Sequence, residues 1–156
     1  MCQETWELLS EHFARFPAFH AAPPGSDEIS AAAATLGREF PEDYREFVAR
    51  YGGAAVGSYD IFGLRRAEAM ASPWSVVENT EFFQTRAKDQ GWADVEQWLI
   101  ISTDGFGNPI GLAADGGVWL YDHDLGRGAL RIAASFEDFI RHECLQAKDR
   151  ITGNTP

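Results

Sequence analysis

The sequence has little cysteine and no long apolar run. Its two cysteines, Cys2 and Cys144, are too few for a disulfide scaffold or a cysteine-built zinc site, and they suit free thiols in a reducing compartment. The longest apolar runs, such as 98–101 and 118–121, have four residues, whereas roughly 20 are needed to cross a bilayer. The first residues show no signal-peptide pattern. We therefore expect a cytoplasmic protein without a membrane-spanning segment.

Positive charge is also scarce. Thirteen Lys and Arg residues face 24 Asp and Glu residues, which leaves a formal net charge of −11. Nucleic acid and anionic membrane surfaces would be repelled by such a protein, so we expect it to bind neither directly. A basic partner protein would be attracted, and its encounter rate would rise.

Bulky apolar residues, by contrast, are plentiful. Apolar residues make up 45% of the 156 residues and aromatic residues 13%, a composition that excludes disorder over most of the length. The length corresponds to one domain. We expect a single domain over residues 1–150 and a frayed tail over 151–156.

Helical periodicity is concentrated in the first half of the chain. The clearest case is Tyr44, Phe47, Val48 and Tyr51, which share one helix face at intervals of three and four residues. Pro41 is expected at the first helical position of that segment. Similar patterns, with Phe82 and Phe83 both assigned to the buried set of the fourth, predict helices over about 4–16, 27–36, 41–51, 75–88 and from Ser135 onward.

Strand patterns dominate the second half. The expected strands are 58–64, 98–102, 109–112, 118–121 and 130–134. The last four are joined by connections of hairpin length, whereas parallel neighbours would need crossovers of a dozen or more residues. The predicted fold is therefore α+β, with a single antiparallel sheet of about five or six strands. Helices pack against the sheet, concentrated in the N-terminal half with one at the C-terminus.

The turn 104–108 is rich in glycine but does not indicate a phosphate loop. It lacks the Gly-Lys-Ser/Thr ending and leads into a strand rather than a helix. We expect a hairpin turn in which glycine and asparagine supply positive φ angles. Ser102 has no evident base, and Cys144 falls on an apolar helix face. We therefore predict that the protein is not an enzyme.

One cluster, Asp122-His123-Asp124, resembles a functional site. Carboxylates that flank an imidazole can orient it as a base or a metal ligand. No second histidine stands at metal-ligand spacing, and side chains that cap a tight turn explain the aspartates equally well. Turn capping and contact with a partner both remain open here, and no cofactor or metal is predicted.

Five segments, taken in order, resemble one known family. They are Phe40–Phe47 followed by Tyr51-Gly52-Gly53, then Tyr59–Leu64, Ile100–Pro109, Gly117–Asp124 and Ser135–Ile140. Together they are similar to the motifs of the SMI1/KNR4 family, or SUKH superfamily, which include "D-G-x-G-N" and "S-F-x-x-F-L". The resemblance covers about residues 26–146, and the matching residues are those of turns and core.

This resemblance implies a binding protein. Bacterial members of the family are mostly immunity proteins of contact-dependent or polymorphic toxin systems, which neutralise a toxin domain, often a nuclease. Eukaryotic relatives act as interaction proteins in cell-wall signalling, and the family is not known for enzymes. The predicted function is therefore an immunity protein for a basic cognate toxin, and the alternative is a scaffold domain for a host-cell protein.

An acidic inhibitor can be steered to the cationic groove of a nuclease and occlude it. The acidic residues of the hairpin ends are the expected contacts, with two glutamates of the fourth helix as further candidates. These partner-binding candidates are Asp104, Asp122, His123, Asp124, Glu78 and Glu81. A small-ligand or metal site at His123 is a further alternative.

Overall fold

A computed structural model of the chain describes residues 1–146. The helices are α1 (Gln3–Arg15), α2 (Ser26–Leu36), α3 (Glu42–Tyr51), α4 (Val76–Gln90) and the short α5 (Phe136–Asp138), which continues as a π-helix over Phe139–Leu145. The helical predictions are confirmed to within a few residues. Pro41 is an exception, since its extended backbone places it just before α3 rather than inside it. The expected tail 151–156 lies outside the described residues.

The six strands within residues 1–146 form two antiparallel sheets rather than one. They are β1 (Ala54–Val56), β2 (Tyr59–Ile61), β3 (Leu99–Thr103), β4 (Pro109–Leu112), β5 (Val118–Asp122) and β6 (Gly128–Ala133). β1 and β2 form a hairpin, and the other four strands form a meander in the order β3-β4-β5-β6. The predicted α+β class is confirmed, although the larger sheet has four strands. In the same residues, no helix is long and apolar enough to cross a membrane.

The division into two sheets has a local cause. β2 ends at Ile61, and the next residue, Phe62, donates its N–H to the carbonyl of Ile101 in β3 at 2.8 Å. The hairpin therefore meets the meander by a hydrogen bond from the residue after β2 instead of a continuous ladder. β1 escaped sequence analysis because a three-residue strand of Ala-Ala-Val carries little β-propensity.

The core joins α3 to the C-terminal helical segment. Phe136 packs edge-on against Tyr44 and Phe47 of α3, with ring centroids 5.2 and 5.3 Å away. The buried Tyr44 hydroxyl donates to the carbonyl of Phe62 at 2.6 Å, so the polar group is paired. Cys144 is buried as expected, and burial raises the pKa of its thiol well above the ordinary value. This cysteine serves packing.

Glycines permit a close backbone approach between the end of α3 and the chain after β2. Gly63 lies so near Gly52 that an added Cβ would overlap the carbonyl of Gly52. Gly53 meets Arg65 in the same way, and Arg65 donates its N–H to Gly52 at 3.0 Å. We name Gly52, Gly53 and Gly63 the glycine junction.

We predict that Gly63→Ala lowers the free energy of unfolding by about 2–3 kcal/mol, because the new methyl group must displace backbone atoms. Urea unfolding measures the effect. Gly105→Ala is the matched control, since an added Cβ there meets nothing within 4 Å. Equal effects of the two substitutions would contradict the proposed close packing.

Glu137 ties α1 to the C-terminal segment. Its carboxylate accepts hydrogen bonds from the Cys2 N–H at 2.8 Å and the Thr5 hydroxyl at 2.6 Å, and its own N–H donates to Asp43. Partial burial acts to raise the pKa of this carboxyl. The hydrogen bonds from Cys2 and Thr5 outweigh burial and lower the pKa to about 2.

A lowered pKa in the folded state stabilises the protein above the unfolded pKa, and this contribution is lost as the pH falls through the folded value. Because the carboxyl is partly solvated, we expect Glu137→Gln to cost only about 1 kcal/mol near neutral pH. The difference from the parent protein should vanish as the pH falls from about 4.5 to about 2. Urea unfolding across this range tests it, with Glu11→Gln on an exposed part of α1 as control. A pH-independent difference would contradict the role of the charge.

Candidate functional site

The turn between β3 and β4 is held by Asp104. One carboxylate oxygen accepts the N–H groups of Phe106 and Asn108, both at 2.9 Å. Gly107 supplies the positive φ angle, at 79°. The expectation that asparagine would do the same is wrong. In residues 1–146 only glycines have a positive φ angle. Asn108 therefore does not supply one, although its side chain is buried at this turn.

Asn108 joins the two turns at this end of the sheet. Its side-chain amide donates to Asp104 at 2.8 Å, and its side-chain oxygen accepts the N–H of His123 at 3.2 Å. The β3–β4 turn and the turn after β5 are therefore fixed relative to each other. Sequence analysis had placed Asp104 and His123 among the candidates without this bridge between them.

The turn after β5 brings the rest of the cluster together. Asp122 caps the turn by accepting the N–H groups of Asp124 and Leu125 at 3.1 and 3.0 Å. The chain is no longer extended there, so the His123 ring meets the carboxylate of Asp124, with Nε2 3.2 Å from Oδ1. The ring also lies against Trp92, with centroids 5.7 Å apart. Asp122 is thus a capping residue, while the Asp124 side chain is 68% exposed.

The two candidate glutamates lie along α4, beside a shallow groove of about 780 Å³. Glu78 completes a capping box: its carboxylate accepts the Ser75 N–H at 2.7 Å, and its own N–H donates to the Ser75 hydroxyl. Glu81 is exposed. Asp89 adds a third carboxylate to the groove, and Arg86 is the basic residue that lines it.

Sequence analysis missed three exposed aromatic residues on this side of the molecule. Trp74 is 44% exposed, Phe82 40% and Phe106 83%. The prediction that Phe82 is buried is wrong, because only Phe83 of the pair turns into the core. Trp74 and Phe82 contact each other, with ring centroids 5.3 Å apart. Large exposed aromatic side chains grouped in this way are typical of a binding surface.

The groove and the turns belong to one surface. Phe82 and Arg86 line the groove and also a smaller depression of about 240 Å³ that reaches Phe106 and His123. A third depression extends from Trp74 past Phe82 to the turn at Gly107. We call the whole the candidate binding surface, formed by Trp74, Glu78, Glu81, Phe82, Arg86, Asp89, Asp104, Phe106, His123 and Asp124.

This surface offers aromatic contact and negative charge, while aspartates of the two turns beside it cap the backbone. Asp104 and Asp122 each bind two backbone N–H groups. Across residues 1–146, no three or more His, Cys, Asp or Glu side chains form a group that could hold a metal ion.

The fold is thus that of a small α+β domain with an acidic and aromatic surface at the hydrogen-bonded turns and along α4. The model of the SMI1 / KNR4 family (SUKH-1) matches residues 23–142, more than half of the chain, and the chain belongs to this family. The family includes immunity proteins, and its domains are generally non-enzymatic. A search among curated proteins gives no match.

The Asn108 bridge makes a stability prediction. Asn108→Asp removes the amide donor and sets a second carboxylate against Asp104, so we expect a loss of about 2 kcal/mol at neutral pH. The loss should shrink near pH 4, where a protonated carboxyl can donate again. Urea unfolding at both pH values measures it. The control is Gln97→Glu, which adds the same charge at an exposed position. A similar loss of unfolding free energy in both variants would contradict the role of the Asn108 bridge.

Proposed function

We propose that this protein is an immunity protein that binds and neutralises a cognate toxin domain, and that the toxin is a basic nuclease. The observation that carries the proposal is the candidate binding surface, in which exposed aromatic residues stand among carboxylates. Membership of the SMI1/KNR4 family supports the same function. The site would act by occlusion, with no chemical step.

The aromatic residues supply the affinity in this proposal. Binding energy in protein interfaces concentrates in a few aromatic and arginine side chains surrounded by residues that exclude water. Phe106 stands at the tip of a turn that Asp104 and Asn108 hold by hydrogen bonds. A residue presented from such a fixed turn loses little conformational freedom on binding.

The acidic residues supply speed and selectivity. A nuclease needs a cationic groove for the phosphate backbone, and the net charge of −11 attracts such a groove from a distance. Carboxylates such as Glu81 and Asp124 at the edge of the interface would accelerate the encounter and discourage neutral or acidic partners.

Charge reversal tests the location. We predict that Glu81→Lys combined with Asp124→Lys weakens binding of the cognate toxin domain by at least about tenfold and reduces the dependence of that binding on salt. Both side chains are exposed and outside the turn-capping hydrogen bonds, so the fold should persist. Calorimetric titration at low and high salt measures both effects.

The matched control is Glu7→Lys combined with Glu11→Lys on the exposed face of α1, which changes the net charge equally. If both double variants weaken toxin binding equally, the effect comes from the net charge of the protein. That result would contradict the placement of the interface on the candidate binding surface. Absence of binding by the parent protein would reject the immunity function for that pair. The alternative function, a scaffold domain that binds a host-cell protein, would then take its place.

A further inference from the structure

We propose that the α4 groove, lined by Trp74, Glu81, Phe82 and Asp89, takes an arginine side chain from a basic segment of the partner protein. This inference rests on the proposed function and names the chemistry of one part of the surface. The groove combines two aromatic faces with carboxylates along one side of a helix. A guanidinium group matches both features, since it stacks on aromatic rings and pairs with carboxylates.

Side-chain hydrogen bonds fix the backbone at and just before Trp74. The buried amide of Asn79 donates to the carbonyls of Trp74 and Ser75 at 3.2 and 3.0 Å. Just before it, the carboxylate of Asp60 accepts the N–H groups of Ala71 and Ser72 at 2.8 and 3.3 Å. The backbone that carries the ring is therefore fixed, and little ordering is needed when a ligand stacks on it.

Phe82 forms the neighbouring wall. Its ring lies at 57° to the Trp74 ring and nearly perpendicular to Phe83, with centroids 5.3 and 5.1 Å away. Phe83 is buried in the core, so its contact with Phe82 holds the Phe82 ring in place. The Trp74 and Phe82 side chains are partly exposed, and a cation is attracted to the face of an aromatic ring.

Carboxylates line the same groove, with Glu81 next to Phe82 in sequence and Asp89 about two helical turns farther along α4. Glu81 and Asp89 are exposed residues of the groove, and Glu78 has one oxygen engaged by the Ser75 N–H. The one basic group of the lining, Arg86, lies over the ring of Trp92 with its Cζ 5.8 Å from the ring centroid. The balance of charge in the groove thus favours an incoming cation.

The protein uses the same contact internally. Cζ of Arg50 lies 3.9 Å from the centroid of the Trp6 ring, and Arg131 lies over Trp119 at 6.0 Å. Arginine is preferred over lysine for the α4 groove because its planar group is weakly hydrated and can stack and pair with a carboxylate at once. A lysine ammonium would keep more of its water.

The probe is a hexa-arginine peptide, titrated into the complete protein. Calorimetry measures its affinity, and the NMR signal of the Trp74 indole N–H, assigned with the variant Trp74→Phe, reports where it binds. We expect saturable binding that shifts the Trp74 signal, and weaker binding of hexa-lysine. Glu81→Lys should weaken binding of the hexa-arginine peptide by about tenfold. Glu11→Lys makes the same charge change and should weaken this binding by less than about twofold. Phe82→Leu keeps the apolar volume but removes the ring, and should weaken binding by about threefold to fivefold.

Phe16→Leu is the control for the aromatic variant, since Phe16 is 39% exposed and lies at the end of α1. An unshifted Trp74 signal, equal effects of Glu81→Lys and Glu11→Lys, or unchanged affinity in Phe82→Leu would each overturn the arginine site. The proposed immunity function would survive that result if the toxin domain still binds. Failure of the toxin domain to bind would reject the immunity function for that pair, whether or not the peptide binds.

Discussion

The contact between two backbones at the glycine junction positions the elements on either side of it. Gly52 ends α3 and accepts the N–H of Arg65, while Gly63 approaches Gly52 too closely for any side chain and accepts the N–H of Val76 at 2.8 Å. Val76 is the first residue of α4. The junction therefore links α3 to the start of α4, and the neighbouring Phe62 links it to β3. The groove beside Trp74 depends on this arrangement.

A second constraint acts at the other end of the candidate binding surface. Asn108 carries no charge, yet it decides how the carboxylates of the two turns are placed, because its amide contacts Asp104 and its oxygen contacts the backbone of His123. Without such a bridge, repulsion between acidic residues would favour separation of the turns. Several carboxylates can lie close together here because hydrogen bonds hold the backbone of the two turns. A basic partner would relieve the repulsion that remains between them.

Much of the fold was accessible from sequence because the main elements follow regular periods. The spacing of Tyr44, Phe47 and Val48 predicts α3, and the hairpin signals around β4 and β5 predict the meander. Phe82 was misplaced because two adjacent phenylalanines satisfy the apolar pattern equally, whereas successive helix residues point about 100° apart and only one can face the core. The Asn108 bridge joins residues 15 positions apart along the chain, and no local pattern signals it. The candidate acids could be named from sequence, but the aromatic residues beside them could not.

Under the proposed function, the separation of the motif residues from the residues of the candidate binding surface would allow one scaffold to serve different partners. The glycine junction, Asp104 and Asn108 belong to the family-like motifs, and here they set backbone geometry through close approach and hydrogen bonds. Phe106 occupies the unspecified position of the "D-G-x-G-N" turn, and its side chain is 83% exposed. Trp74 and Glu81 lie between motifs. Side chains at these positions can change without altering the hydrogen bonds that shape the turn, so partner specificity can vary on a constant fold.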